Sequence, residues 1–175
     1  MVFMNECPSE GNNMFEKLKI RVADPNDYEG IIAIFKSWGS ESWDTKFAER
    51  YYRDFFGNRH CYQMDEVLVG MVNGRIVGVT GYCPDIHETD DIHWLNWLYV
   101  HRDFQKHGYG GLLLDHVINI LKAKKARKLY VDTTSYRFYK PARKLYESRG
   151  FEQEGTLKDY YGKGEDQIIL GMSLS

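Results

Sequence analysis

Residues 92–111, IHWLNWLYVHRDFQKHGYGG, decide the reading of this chain. The first nine, Ile92–Val100, are almost all apolar or aromatic, the composition of a central strand covered on both faces. Gly108, Gly110 and Gly111 then stand where a helix begins. Leu112, Leu113, Val117, Ile118, Ile120 and Leu121 follow at helical spacing, and the run over Gly111–Lys125 has a basic exit. Lys128–Thr133 reads as the next strand, which completes a βαβ unit. A right-handed crossover places the glycine loop at the carboxyl edge of the first strand, where α/β sheets bind ligands. Glycines put no Cβ in the way of a close approach, and the first turn of a helix carries backbone N–H groups without intrahelical partners. Such a terminus suits an anion, above all a pyrophosphate. A tight turn without a ligand would use the same glycines, so their spacing alone does not decide. A P-loop requires Gly-Lys followed by Ser or Thr. A Rossmann fingerprint belongs early in the fold, with an acid after its second strand.

Outward from this unit the pattern alternates between strands and helices. Upstream, Asp65–Val72 and Arg75–Tyr82 are β-branched runs joined by Asn73 and Gly74, the signal of a two-residue hairpin. Further upstream, Lys17–Ala23 alternates with period two, and Asp24-Pro25 caps a helix that closes at Trp38 and Gly39. A second helix, Trp43–Phe56, ends at Gly57. Downstream, Pro141–Arg149 forms a short helix stopped by Gly150, before strands at Gln153–Tyr161 and Gln167–Leu174. The order is β, α, α, β, β, β, α, β, α, β, β. The expected organisation is a lead-in over residues 1–16 without regular structure, then one domain over 17–175.

Composition narrows the functions. Lys plus Arg number 23 against 25 for Asp plus Glu, a formal charge of −2, so no cationic surplus points to nucleic acid. Cys7, Cys61 and Cys83 form neither a CxxC pair nor an even disulfide set, so no metal site is expected and a reducing cytoplasm fits. No apolar run reaches the ~18 residues of a membrane span, and MVFMNECPSEGNNM lacks the basic start and apolar stretch of a signal peptide.

Two blocks carry a resemblance. Val100 is followed five residues later by QKHGYG, which resembles the Q/R-x-x-G-x-G/A signature of the GNAT superfamily of acyl-CoA-dependent N-acetyltransferases. Ala142–Phe151, ARKLYESRGF, is similar to that family's A-x-x-L-Y-E-x-x-G-F helix-to-strand segment. The distance between the blocks and the element order from Lys17 onward also match. The resemblance implies an α/β (α+β) fold with a mixed, mostly antiparallel central sheet flanked by helices and splayed between its fourth and fifth strands. It implies acetyl-CoA as acyl donor, with pantetheine added to the opening along Leu98, Tyr99 and Val100. The pyrophosphate would lie on Gln105, Lys106, His107, Gly108, Tyr109, Gly110 and Gly111, with Lys106 and His107 adding charge. Tyr146 matches the tyrosine that protonates the departing thiolate, and the acceptor is an amine attacking directly. Neither nucleic acid nor membrane is implied as partner, and a homodimer stays open.

Two positions depart from the family pattern. Tyr139 stands where many members have a cofactor-contacting Asn, and the fourth strand lacks the Glu that often deprotonates the amine. Glu88, Asp91, His93 and Asn96 are the nearby candidates for that base. Cys83 has no base beside it in sequence, so an acyl-enzyme is not expected. Trp38, Trp43, Tyr51, Tyr52, Phe55, Phe56, Tyr160 and Tyr161 suffice for an aromatic wall around a cation, and the connection bearing Asp85, Glu88, Asp90 and Asp91 offers negative charge. A non-catalytic acyl-CoA-binding or regulatory module on the same fold is the alternative, and a dinucleotide-binding protein a more distant one.

Overall fold

A computed structural model of the chain describes residues 17–57, 66–85, 87 and 89–175. Cys7, Cys61, Asp65, Glu88 and the expected lead-in over 1–16 lie outside those residues. The strands are β1 (Lys19–Val22), β2 (Glu66–Val72), β3 (Arg75–Pro84), β4 (Ile92–Val100), β5 (Lys128–Thr134), β6 (Glu152–Gly162) and β7 (Glu165–Ser173). The helices are α1 (Tyr28–Lys36), α2 (Trp43–Phe56), α3 (Tyr109–Ala123) and α4 (Lys140–Glu147).

Among the described residues the strands form one sheet in the order β1-β2-β3-β4-β5-β7-β6. Only β4 and β5 are parallel, joined by α3; the other pairs are antiparallel. The hairpin between β2 and β3 turns at Asn73 (φ 49°) and Gly74 (φ 77°), the double left-handed turn that matches strand twist. α1 and α2 cover one face, with Ile31, Ile32, Phe35, Ala48, Tyr51 and Tyr52 packed on Val67, Val69 and Val79. α3 and α4 cover the other, where Leu114, Val117, Leu121 and Tyr146 pack with Leu129, Val131 and Leu170. Each helix thus buries its apolar stripe against one sheet face, which is why the helical and strand periodicities were both legible.

Asp24 opens the first helical segment as expected. Its side chain accepts from the Asn26 N–H, and the Asp27 carboxylate returns a bond to the Asp24 N–H at 2.8 Å. A short 3₁₀ turn, Pro25–Asp27, precedes α1. α3 starts at Tyr109, two residues before the expected Gly111, because Gly108 adopts φ 78° and serves as the N-cap. Gly110 and Gly111 therefore lie inside the helix.

The site is positioned by a defect in the sheet. β4 and β5 pair only at Ile92↔Lys128, His93↔Leu129 and Trp94↔Tyr130. Beyond Trp94 the two strands part, and β5 continues on β7 alone. On the other side, β4 stays on β3 but slips register between Val79↔Tyr99 and Gly81↔Asn96, so three residues of β4 span what two of β3 span. Trp97, with φ 39°, carries this bulge. An extra residue bends β4 away from β5 and produces the splay.

Candidate functional site

The opening between β4 and β5 leads to the N-terminus of α3. His101 N–H donates to Val77 O at 2.8 Å, so the Gly78↔Val100 pair is the non-hydrogen-bonded kind. The Val100 N–H and C=O therefore turn into the opening. Just past them the chain bends twice through left-handed backbone, at Lys106 (φ 63°) and Gly108 (φ 78°). No side chain caps α3, whose first helical bond runs from Leu112 N–H to Gly108 O at 3.1 Å. The first-turn amides thus converge with the positive end of a 15-residue helix. A Cβ placed on Gly108 would meet nothing within 4 Å, so the space over the loop is open. Lys106, His107 and Gly108 are exposed and Gln105 is half-buried. The arrangement fits a pyrophosphate held by backbone amides, with Lys106 as a charged rim.

Not every side chain of the loop can take part. Tyr109 is buried with Leu18, Val72, Val77 and Leu113, so only its backbone faces the cradle. The His107 ring stacks on Tyr109 at 5.5 Å and lines the cleft between β1 and α3. The second block docks directly on the first. A Cβ on Gly110 would stand 3.6 Å from Leu145 Cδ2 and 3.8 Å from Val100 Cγ2, and one on Gly111 only 2.5 Å from Arg149 Nη2. Arg149 is held there by Asp115 of α3, at 3.0 and 3.3 Å. Small residues at 110 and 111 thus seat α4 against the start of α3.

That seating fixes Tyr146 of α4 in the core with Leu129 and Val131 of β5. Its ring is 6% exposed and packs on Phe151 at 5.7 Å. Burial pushes the phenol pKa well up, with the Asp132 charge adding to the effect, so the group stays protonated at neutral pH. Among the described residues its hydroxyl has no hydrogen-bond partner. A neutral buried phenol can donate a hydrogen bond.

The candidates for a base are dispersed. Asn96 points toward α2, where its amide donates to the Tyr51 hydroxyl at 3.1 Å. His93 lies on the opposite face, edge-on to Tyr82 at 5.9 Å. Asp91 sits in a left-handed turn (φ 60°) at the far end of β4, its carbonyl accepting from Arg127 and Lys128. Seven residues at ~3.3 Å each put it ~23 Å along the strand from Leu98. Asp85 is a turn organiser: it accepts from the Trp94 indole at 3.0 Å and from the Thr89 hydroxyl at 2.9 Å. These bonds, and one from the His87 N–H, hold its carboxyl below the usual carboxylate range. The Asp85 carboxylate is therefore occupied at the end of β4 remote from the cradle. Of the aromatic residues expected as a wall, Tyr51 and Tyr52 are core, whereas Trp43, Tyr160 and Tyr161 are 68%, 59% and 46% exposed.

The structure also assembles a cluster that the sequence did not announce. Tyr99 of β4 and Tyr139, just before α4, both donate to Oδ2 of Asp44 in the first turn of α2, each at 2.6 Å. Trp38, in the α1–α2 connection, donates its indole N–H to Val100 O at 3.0 Å and meets Phe138 edge-on at 5.4 Å. Two contacts thus bridge the opening from the α2 side. Tyr139 is committed to Asp44, and burial with that bond pushes its pKa up to about 12. Burial and the Asp44 charge raise Tyr99 further. No periodicity or motif joins residues 44, 99 and 139; the only local hint was an Asn position filled by a tyrosine.

Comparison with known proteins extends the same geometry. The chain is 24% identical over 162 residues to N-alpha-acetyltransferase 60 of Danio rerio, a match covering 83% of this chain and 64% of that protein's length. A GNAT-family protein from Desulfovibrio desulfuricans superposes with a TM-score of 0.81 at 24% identity, over 91% of this chain and 100% of that one. A Salmonella typhimurium protein solved with acetyl-CoA as its cofactor superposes with a TM-score of 0.67 at 21% identity, over 91% of this chain and 95% of that one. The profile of the acetyltransferase (GNAT) family matches residues 28–151, from the first turn of α1 to the end of the ARKLYESRGF block. With the splayed β4–β5 pair, the glycine cradle and the docked second block all inside that span, the chain belongs to the GNAT family of acetyltransferases.

Proposed function

We propose that this protein is an acetyl-CoA-dependent N-acetyltransferase of the cytoplasm, acting on a primary amine of a small molecule or a peptide. The observation that carries this reading is the opening between β4 and β5 beyond Trp94↔Tyr130, next to the uncapped start of α3. A pantetheine arm is a chain of amides and needs a strand edge to lie along; Leu98, Tyr99 and Val100 lie beyond the last β4–β5 pair and supply that stretch, with the Val100 carbonyl shared with the Trp38 indole. Gln105–Gly111 hold the pyrophosphate through backbone amides, with Lys106 at the rim and the His107 ring turned to the β1–α3 cleft.

Acetyl-CoA supplies an activated thioester carbonyl. This chain's residues would orient it: the bulge at Trp97 bends β4 where the thioester would lie, and Tyr146 of α4 would hold its hydroxyl toward the sulfur. As the amine nitrogen bonds to the carbonyl carbon and the carbon–sulfur bond breaks, Tyr146 passes its proton to sulfur and recovers one released from the nitrogen. An alkyl ammonium, with pKa near ~10.4, must lose a proton before it attacks, whereas a peptide α-amine near ~7.8 is partly neutral already. With no acidic side chain on β4, the α-amine places the lighter demand on the site.

The test is release of free thiol from acetyl-CoA in the presence of short peptides and small amines. Amine-dependent release is the expected result. The absence of a carboxylate on β4 favours one second reading, a binding or regulatory module. CoA binding without turnover on any acceptor would establish it.

A further inference from the structure

Asp44 has more partners than its place in the helix requires. A carboxylate in the first turn of α2 offsets the helix dipole, and Ser42 already caps that turn through the Thr45 N–H at 3.2 Å. Neither role calls for two phenols. Yet Tyr99 from one lip of the opening and Tyr139 from the other both donate to Oδ2, at 2.6 Å each. Among the described residues Oδ1 takes no bond, and Asp44 is half-buried rather than sealed.

The surroundings suit a cation. Trp43, beside Asp44, is 68% exposed and stacks on Phe47 at 5.0 Å; Arg50 lies over the Phe47 ring at 5.1 Å, and Trp43 offers the exposed aromatic surface. Trp38 and Phe138 form an edge-to-face pair near Tyr139 at the same mouth. Among the described residues no Lys or Arg bonds to Asp44, and Lys36, Lys46 and Arg53 on neighbouring turns are paired elsewhere. A half-buried carboxylate without a cationic partner, next to exposed aromatic surface, attracts an ammonium group.

We propose that Asp44 is the acceptor-side anchor: Tyr99 and Tyr139 fix its carboxylate across the β4–β5 opening, and its remaining oxygen binds the ammonium of a cationic amine. This rests on the acetyl-transfer reading above, since that reading makes the opening the place where an amine meets the thioester. Asp44 acts on specificity and positioning, and the proton-donor role stays with Tyr146.

The test measures binding, so it does not depend on finding the natural acceptor. Spermidine, benzylamine and a tripeptide amide with a free α-amine are titrated calorimetrically into the CoA-saturated protein, for the wild type, Asp44→Asn and Tyr139→Phe. At least one cation is expected to bind the wild type, with affinity falling as salt rises from about 50 to about 500 mM. Asp44→Asn should weaken it roughly tenfold or more while CoA affinity stays within about threefold. Tyr139→Phe keeps the charge and should keep most of the cation affinity; an equal loss in that variant would make the cluster a scaffold and overturn the proposal. If Asp44→Asn does not fold, the wild-type salt dependence still decides: an affinity insensitive to salt overturns the anchor. CoA binding with no cation bound removes the Asp44 assignment alone. Failure of CoA itself to bind removes the acetyl-transfer reading beneath it.

Discussion

Gly78→Ala tests how tightly the cradle is seated on the sheet. Gly78 lies on β3 opposite Val100, and α3 crosses directly above it. An added Cβ would stand 2.7 Å from Leu113 Cδ1 and 3.5 Å from the Tyr99 carbonyl oxygen. Ordinary contact between carbons begins near ~3.5 Å, so Leu113 would have to withdraw by roughly 0.8 Å. It has little room to do so. Leu113 is fully buried and packs among Leu18, Val72, Val77 and Tyr109. The strain passes to α3, and overpacking of this kind costs about 1–3 kcal/mol. For a chain of this size that lowers Tm by roughly 2–12 °C. Tyr109 lies one turn before Leu113, so lifting α3 also displaces the first-turn amides by a fraction of an ångström. CoA affinity should therefore fall with stability, by about tenfold. Thermal unfolding and a CoA titration on the same samples read both effects. An unchanged Tm would refute the tight seat; a lowered Tm with full CoA affinity would refute the coupling of α3 position to the cradle.

Other substitutions separate the remaining parts of the account. Tyr146→Phe should reduce turnover by roughly 10²–10⁴ with CoA affinity nearly intact, read by steady-state kinetics and calorimetry, and unchanged turnover would remove its role as acid. Gly108→Ala meets no side chain but must hold φ 78°, so it should cost about 1–2 kcal/mol in chemical denaturation, more than its open surroundings suggest. Asp27 is buried, pairs with Arg21 at 2.6 Å and accepts the Asp24 N–H in the capping box of the 3₁₀ turn before α1, and the Arg21 bond holds its pKa below the usual value. A carboxyl depressed on folding stabilises above its unfolded pKa of ~3.9 and loses that contribution as pH falls through the lower, folded value. Asp27→Asn should therefore lower stability at pH 7 by roughly 1–3 kcal/mol and flatten the acid limb of a stability-against-pH curve.

Much of the fold was legible because local signals and tertiary structure agreed. Asn73-Gly74 demanded a hairpin, Asp24-Pro25 a helix start, and the apolar run of Ile92–Val100 a central strand; all three are present. The boundary of α3 was misplaced because three close glycines look like a loop, whereas only Gly108 has left-handed backbone and the other two sit inside the helix to admit Leu145 and Arg149. The bulge at Trp97 left no trace in composition, since an extra residue in a strand of apolar side chains changes no pattern that the eye can follow. The donor side of the site was readable, because backbone amides at a helix start follow from glycine spacing and helix phase. The acceptor side was not. Asp44 looks like any first-turn acid until the fold brings Tyr99 and Tyr139 to it over 55 and 95 residues of chain.

The central claim is that the Gln105–Gly111 loop and the β4–β5 opening together hold acetyl-CoA. The most direct measurement is a calorimetric titration of acetyl-CoA into the protein, with NAD as the comparison ligand. The account predicts saturable binding of one acetyl-CoA per chain, weakened at high salt where pyrophosphate contacts are screened, and no binding of NAD. No heat from acetyl-CoA, or saturable binding of NAD in its place, would contradict it.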